Sequence, residues 1–427
     1  MKKRKTNLLI RGKKSTTYSQ TLKIKTETKG IISLKTLFIA SLIAAQIAVL
    51  VYLNITFALA FQWVLIISFV FSVITCFYVL SSNKNSLSKA VWIIFILLFF
   101  TLGYIVYIIS DERIFFRKAK KRYEKIYNNS KKYLLNEGVT IDNTAVKRDC
   151  NYLMSAGAFK TYSDTKMQYF SSGEEMFVDV IERLKSAREF IFIEFFIIAD
   201  GSLLERIFKV LKEKVDNGVE VRVIYDDMGS HKPLSRKSKE MLKKAGIKLC
   251  PFNRLVPIFS IALNYRDHRK IIIVDGKSAY TGGCNLADEY VNEKRMYGYW
   301  KDAGLRLDGP AVDGFTLMFL RQWEYLVKKG EDYSTYLNKA EKYSSKSVMV
   351  PYADGLDFSL PIGKSVYENM ISSAKEKIYI MTPYFIVDDT LNNLLANKAM
   401  SGVDVRIILP EIPNKKFVYG VTRNNAE

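Results

Sequence analysis

Tyr265-Arg266-Asp267-His268-Arg269-Lys270-Ile271-Ile272-Ile273-Val274, then Asp275-Gly276-Lys277, then Ser278-Ala279-Tyr280-Thr281-Gly282-Gly283-Cys284-Asn285, reads as two short strands joined by a tight turn. Asp-Gly between apolar runs is a two-residue hairpin signal. In a strand, residues two apart share a face, so His268 and Lys270 are expected to project together. Neutral imidazole is a competent nucleophile toward phosphorus near neutral pH. An adjacent ammonium would neutralise charge on nonbridging oxygens as the transition state forms. Asn285 could donate amide N–H groups to the same oxygens, and Gly282 and Gly283 would let backbone approach a phosphate closely. Asp275 has two readings, a turn former or a carboxylate that orients the histidine. His231, the second of two histidines, sits in a polar Gly-Ser-His-Lys-Pro context and reads as a solvated loop residue.

Around this stretch, helical and strand periods alternate. Helices are expected at 173–186, 203–215 and 235–245, and strands at 190–196, 219–225 and 247–251. Such alternation predicts a parallel or mixed sheet covered by helices on both faces. The pattern then restarts, with helix 363–374, strand 378–385 and helix 391–400. Asn217-Gly218-Val219-Glu220-Val221-Arg222-Val223-Ile224 returns in register as Ser401-Gly402-Val403-Asp404-Val405-Arg406-Ile407-Ile408. An internal repeat of this kind implies two similar halves. The offset from Arg222 to His268, applied to Arg406, falls beyond Glu427, so the second copy is expected to be incomplete.

The chain has 427 residues, 64 basic against 43 acidic, net +21. That balance favours an anionic partner, nucleic acid or acidic lipid headgroups. Residues 36–80 contain no Asp, Glu, Lys or Arg, a run long enough for two spans. Spans are expected at 36–53, 63–80 and 90–109, retained rather than cleaved. Lys23, Lys25, Lys29 and Lys35 precede the first; Arg113, Arg117, Lys118, Lys120, Lys121 and Arg122 follow the last. Both flanks therefore favour the cytoplasm, yet three crossings would separate them. One of the first two runs being re-entrant or interfacial would reconcile the two, with the catalytic part cytoplasmic. Four cysteines without CxxC spacing read as unpaired, and no zinc site is expected. The domains so read are a basic tail 1–35, a membrane region 36–109, a basic linker 110–150, a first α/β domain 151–345 and a partial second, 346–427.

His268-x-Lys270, Asp275 after four intervening residues, and Gly282-Gly283-x-Asn285 resemble the phosphodiesterase signature of the phospholipase D superfamily. Phe192-Ile193-Glu194-Phe195-Phe196, Val223-Ile224-Tyr225-Asp226-Asp227 and Thr382-Pro383-Tyr384-Phe385, behind membrane anchors and a basic linker, are similar to bacterial cardiolipin synthases. The resemblance runs from about residue 89 to 427, and the extra apolar run departs from the commoner two-anchor pattern. It implies an α/β phospholipase D-like mixed sheet flanked by helices, duplicated with the second copy incomplete, and preceded by transmembrane helices. It also implies phosphatidyl transfer between two phosphatidylglycerol molecules, giving cardiolipin and glycerol, with His268 carrying a phosphohistidine. His268, Lys270 and Asp275 would be catalytic, Asn285, Gly282 and Gly283 phosphate-binding, and no metal or cofactor is implied. Anionic membrane lipids are the expected partners, at a multi-pass cell-membrane location.

The family's centre uses two histidines, and these residues hold one His-x-Lys. Three expectations follow: a fragment or frameshift product, a degenerate inactive protein, or a homodimer pairing two first motifs. Rival activities are a membrane-anchored phospholipase D, a nuclease of the same superfamily, and a noncatalytic membrane protein. Nucleic acid is disfavoured because the excess charge clusters beside the apolar runs.

Overall fold

The computed structural model describes residues 34–82, 84–111, 116–134, 139–255, 265–345, 347–356, 358 and 360–426. The chain divides into two compact units that meet at Tyr107 and Ile108. All but the last two residues of the expected basic tail lie outside the described residues, as does Arg113.

The first unit holds α1 (Leu34–Thr56), α2 (Ala58–Leu80), α3 (Ser86–Leu98) and α4 (Phe100–Ser110). Two stretches, Ile39–Thr56 and Gln62–Leu80, are long and apolar enough to cross a membrane. The third expected span is corrected. Residues 90–109 do not form one helix, because Phe99 leaves the helical region (φ −121°, ψ 55°) and splits them.

The second unit is built on a seven-stranded sheet in the order β1-β7-β6-β5-β2-β3-β4. The strands are β1 (Lys166–Phe170), β2 (Phe190–Phe195), β3 (Glu220–Asp226), β4 (Lys248–Phe252), β5 (Lys270–Val274), β6 (Ser278–Gly282) and β7 (Gly304–Asp308). β2, β3 and β4 are mutually parallel, and β5, β6, β7 and β1 continue antiparallel from β2. Every residue of β2 and β5 is buried. Alternate residues feed two cores. Ile191, Ile193, Phe195, Ile272 and Val274 pack under helices Gly173–Lys185 and Ser202–Asp216. Phe190, Phe192, Ile271 and Ile273 pack under helix Val312–Val327, where Phe192 stacks on Phe319 at 4.6 Å between ring centroids. Burying each such side chain contributes about 1.5–3 kcal/mol.

The expected linker is also corrected. Helix Arg117–Ser130 turns Tyr123 and Ile126 inward, stacks Tyr123 on Tyr325 at 3.9 Å, and leaves Lys118, Lys121 and Lys125 outward. Tyr123 Oη donates to Gln322 Oε1 of helix Val312–Val327. The boundary at 150 falls inside helix Thr144–Gly157, whose Leu153 shares a small core with Ile362 and Val366 of helix Ile362–Ser373.

The second copy contains that helix, then β8 (Lys377–Met381), helix Asp389–Met400 and β9 (Asp404–Ile408). β8 and β9 pair in parallel, as β2 and β3 do. Gly218 and Gly402 occupy the same left-handed position, φ +83° and +89°, at the turn into each second strand. The expected strand 378–385 is shorter, because pairing ends at Met381.

The repeated arginine meets two environments. Arg222 is 5% exposed, ion-paired with Glu220 at 2.9 Å and Glu331 at 3.0 Å, and about 5 Å from the Phe192, Trp323 and Tyr336 rings. Arg406 pairs with Asp404 at 2.8 Å while its side chain stays 65% exposed. Arg222→Ala is expected to lower stability by about 3–5 kcal/mol, since Glu220 and Glu331 lose their buried partner. Arg406→Ala should stay within about 0.5 kcal/mol. Chemical denaturation of the detergent-solubilised chain checks the contrast; equal losses would refute it.

Candidate active site

Register places chemistry at one edge of the sheet. Lys270 opens β5 opposite Phe195, the last residue of β2, while Ile271 pairs with Thr281 near the end of β6 and Gly282 with Gly304 at the start of β7. The C-terminal ends of β2, β3 and β6 therefore meet the N-terminal ends of β5 and β7. Asp226 closes β3 at the same edge.

His268 lies two residues before β5, so the expected strand 265–274 begins later than read. The pair still forms. Lys270 Nζ lies 3.3 Å from His268 Nδ1 and donates to the His268 carbonyl at 2.7 Å. The lysine is 7% exposed, and His268 reaches the surface with its ring partly covered by Phe196. Phe196 packs on the imidazole at 4.8 Å between ring centroids and lies 5.8 Å from the ammonium. Burial pushes the Lys270 ammonium down to about 8, against the pull of Asp267 and Asp302. Burial, then the Lys270 charge, lowers His268 below its ordinary value, with Asp267 opposing. Near pH 7 the ring is neutral and the lysine mostly charged.

Buried polar groups hold the histidine's backbone. Asp226, fully buried, accepts from the N–H groups of Met228, Gly229 and Asp267 at 2.9–3.0 Å. Asp267 in turn accepts from Arg269 N at 3.2 Å. Arg269 Nε lies 3.1 Å from the buried Glu194 carboxylate, and its Nη2 donates to Gln322 at 2.7 Å. The Arg269–Glu194 contact is an ion pair without hydrogen-bond alignment. Burial raises Glu194 well above the usual carboxylate range; Arg269 opposes and Asp267 reinforces the rise. One guanidinium thus serves two buried carboxylates.

Asp275 is corrected from a histidine-orienting carboxylate to a turn anchor. It lies past the far end of β5, five residues and about 16 Å from Lys270 along the chain. Its carboxylate accepts from Arg188, Glu189 and Phe190 N–H at 2.8–2.9 Å. Its φ of +52° and that of Gly276, +63°, match the tight hairpin turn read from Asp-Gly.

The glycine pair also serves the protein rather than open space. A Cβ on Gly282 would meet the Ala303 carbonyl at 2.5 Å, and one on Gly283 would collide with the Asp302 carboxylate. Asn285 is 3% exposed; its Oδ1 accepts from Ile197 N at 3.0 Å and its Nδ2 donates to Tyr290 Oη at 2.7 Å. These bonds tie the end of β6 to the end of β2.

Sequence reading missed Asp302, whose charge acts on Lys270 and whose own acidity burial weakens. It also missed Asp226, Glu194 and Arg269, although each lay in or beside a quoted phrase. His231 is exposed in the turn after β3; its neighbour Ser230 donates to the Phe196 carbonyl at 3.1 Å, putting both on this edge. The four cysteines are free, and burial pushes the Cys284 thiol up to about 12.

A family profile described as "Cardiolipin synthase, PLD-like domain" matches residues 180–296 and 367–426, one stretch in each copy. An uncharacterized protein of Streptococcus mutans is 36% identical over 352 residues, 81% of this chain and 76% of its own. Cardiolipin synthase 2 of Bacillus anthracis is 31% identical over 351 residues, 80% of this chain and 68% of its own. Among solved structures, phosphatidylserine synthase of Haemophilus influenzae aligns over 63% of this chain and 66% of its own, at 17% identity and TM-score 0.45.

Arg269→Ala is expected to destabilise the chain by about 3–5 kcal/mol, because two buried carboxylates lose their shared cation. Glu194→Gln, which keeps the shape and removes the charge, should leave the denaturation midpoint unchanged or higher. A larger loss in Glu194→Gln than in Arg269→Ala would overturn this account of the loop.

Proposed function

Since the chain belongs to the cardiolipin synthase family of phospholipase D-like proteins, we propose that His268 is the nucleophile of a phosphatidyl transfer between two phosphatidylglycerol molecules. The imidazole attacks phosphorus, the glycerol oxygen leaves with a proton from an acid, and a phosphatidyl-histidine remains. The hydroxyl of a second phosphatidylglycerol then displaces the imidazole, giving cardiolipin and restoring the ring. Lys270 neutralises the nonbridging oxygens in both steps. The 3.3 Å contact between the lysine and imidazole nitrogens, buried on one side and exposed on the other, carries this reading. Asp226, Arg269 and Glu194 act through position alone.

The departing glycerol needs an acid. In the family this is the histidine of a second His-x-Lys, and within these residues His231 is followed two positions on by Pro233. The His268–Lys270 pair is therefore read as one half of a transfer centre, with the acid in the other half. A second copy contributing its own His268 is one arrangement that supplies that acid.

The two apolar spans and the basic flanks favour a cell-membrane location with the catalytic unit in the cytoplasm, where anionic lipid attracts each exposed lysine by about 1 kcal/mol. Tethering also keeps the site at headgroup height.

Capture is the first displacement, and a leaving group that departs without a proton makes it readable where the acid is missing. A radiophosphorus-labelled phosphatidyl ester of p-nitrophenol, whose phenolate leaves without a proton, incubated with the full chain and quenched in alkali, should leave label on the wild type and none on His268→Ala. Label retained by that variant would end the nucleophile assignment. Lys270→Met should slow capture by about 10²–10³-fold. Capture should fall at acid pH as His268 protonates, below its ordinary 6.5, and fall again near pH 8 as Lys270 loses its proton. A rate of cardiolipin formation per chain that does not change with protein concentration would refute the contribution of a second copy.

A further inference from the structure

We propose that α3 and α4 form a re-entrant hairpin, which enters one leaflet of the bilayer from the side of the catalytic unit and returns to it. The proposal depends on α1 and α2 crossing the membrane, and not on the chemistry at His268.

Length gives the first argument. A continuous helix over 90–109 would reach about 30 Å, enough to span; α3 and α4 have 13 and 11 residues, about 20 and 16 Å. Direction gives the second. Ser72 Oγ donates to the Phe100 carbonyl, Phe71 stacks on Tyr104 at 5.9 Å, and Tyr78 meets Tyr107 edge-on at 6.3 Å. Numbers on α2 and α4 rise together, so these helices run the same way. α3 runs back between them in sequence: Lys89 donates to the Leu80 carbonyl at 2.8 Å, and Trp92 meets Tyr107 at 5.0 Å between centroids. In one straight helix those two rings would stand about 22 Å apart.

Close approach at the fold is specific to Gly103. A Cβ there would lie 2.7 Å from Ile96 Cα and 3.0 Å from the Phe95 carbonyl. Backbone that leaves a helix inside hydrocarbon must be satisfied within the protein. Ser72, fully buried on α2, supplies a donor beside the break, and Ser68 and Thr75 are buried on the same helix.

Polarity fixes the depth. The base of the hairpin carries Lys84, 5.2 Å from the Tyr107 ring, with Lys89 on one arm and Asp111 after the other. No charged residue occurs from Ala90 to Ser110. Val91, Ile94, Leu98, Ile105 and Ile109 are exposed, and acyl chains of a single leaflet are the occupant that suits them. This arrangement also resolves the charge conflict read from sequence. With two crossings and a hairpin, the basic residues before α1, Lys84 and Lys89, and those after α4 all lie on one side.

Single cysteines at Ser86, Lys118 and Asn54, in a full chain otherwise free of cysteine, test it in native membrane vesicles of both orientations with an impermeant maleimide. Ser86→Cys and Lys118→Cys should label from one face and Asn54→Cys from the other, each by at least tenfold over the opposite orientation. Lys118→Cys labelling from the Asn54 face would overturn the hairpin and restore a third crossing. A Trp92→Cys/Tyr107→Cys pair, oxidised to a disulfide with copper phenanthroline, should lose its reactivity toward a polymer-linked maleimide and regain it on reduction. Full reactivity of both thiols after the oxidation would also overturn it.

Discussion

Antiparallel pairing of β5 with β2 is the constraint on which the second unit depends. It sets Lys270 beside Phe195, at the edge where the parallel strands end. Two carboxylates pin the pairing from outside the ladder. Asp275 gathers three consecutive amides at the entrance to β2, and Asp226 holds the Asp267 amide ahead of β5. A one-residue slip would send Ile271 and Ile273 to the opposite core and turn Lys270 to the other face of the sheet. The reactive pair is thus placed by backbone register, with side-chain contacts refining it.

That division explains the site's electrostatics. Lys270 sits in the sheet's first buried layer, where desolvation weakens its hold on a proton, yet Asp267 and Asp302 keep it charged near neutrality. A fully solvated lysine would pay more in lost hydration on meeting a phosphate. A lysine buried without those acids would arrive neutral. The buried carboxylates behind the loop belong to the same balance: Arg269 faces both Glu194 and Asp267, and Asp267 also acts on Lys270.

Elements with one clear period were legible in the sequence. The helices Gly173–Lys185 and Ser202–Asp216 each bury one stripe, and β2, β3 and β5 are apolar runs closed by turn residues. Helix Val312–Val327 escaped because Val312 through Trp323 are, apart from Asp313, buried all round, which erases the stripe that marks a surface helix. β1 and β7 escaped as short strands with charged residues at their ends. At the site, His268 and Lys270 could be read because chemistry and spacing coincide. Asp275 could be read as a turn but not as an amide clamp, since its partners lie some 85 residues away in sequence. Gly282 and Gly283 could be read as close-approach positions; what approaches them, Asp302 and Ala303, is a tertiary fact.

The two copies show how far sequence identity and structural role can separate. Gly, Val, acid and Arg recur, the glycines adopt the same left-handed turn, and each arginine reaches the acid two residues before it. In the first copy, helix Val312–Val327 and Tyr336 close over Arg222, so its ion pairs exclude water. On β8 and β9 burial alternates, leaving Tyr379, Met381, Arg406 and Ile408 on an exposed face. Local sequence therefore specifies the strand–turn–strand geometry in both copies, whereas the covering layer decides whether the same ion pair is structural or solvated. The same Gly-Val-acid-Val-Arg motif can carry several kcal/mol in one place and almost nothing in the other, because desolvation, not the contact, sets the scale.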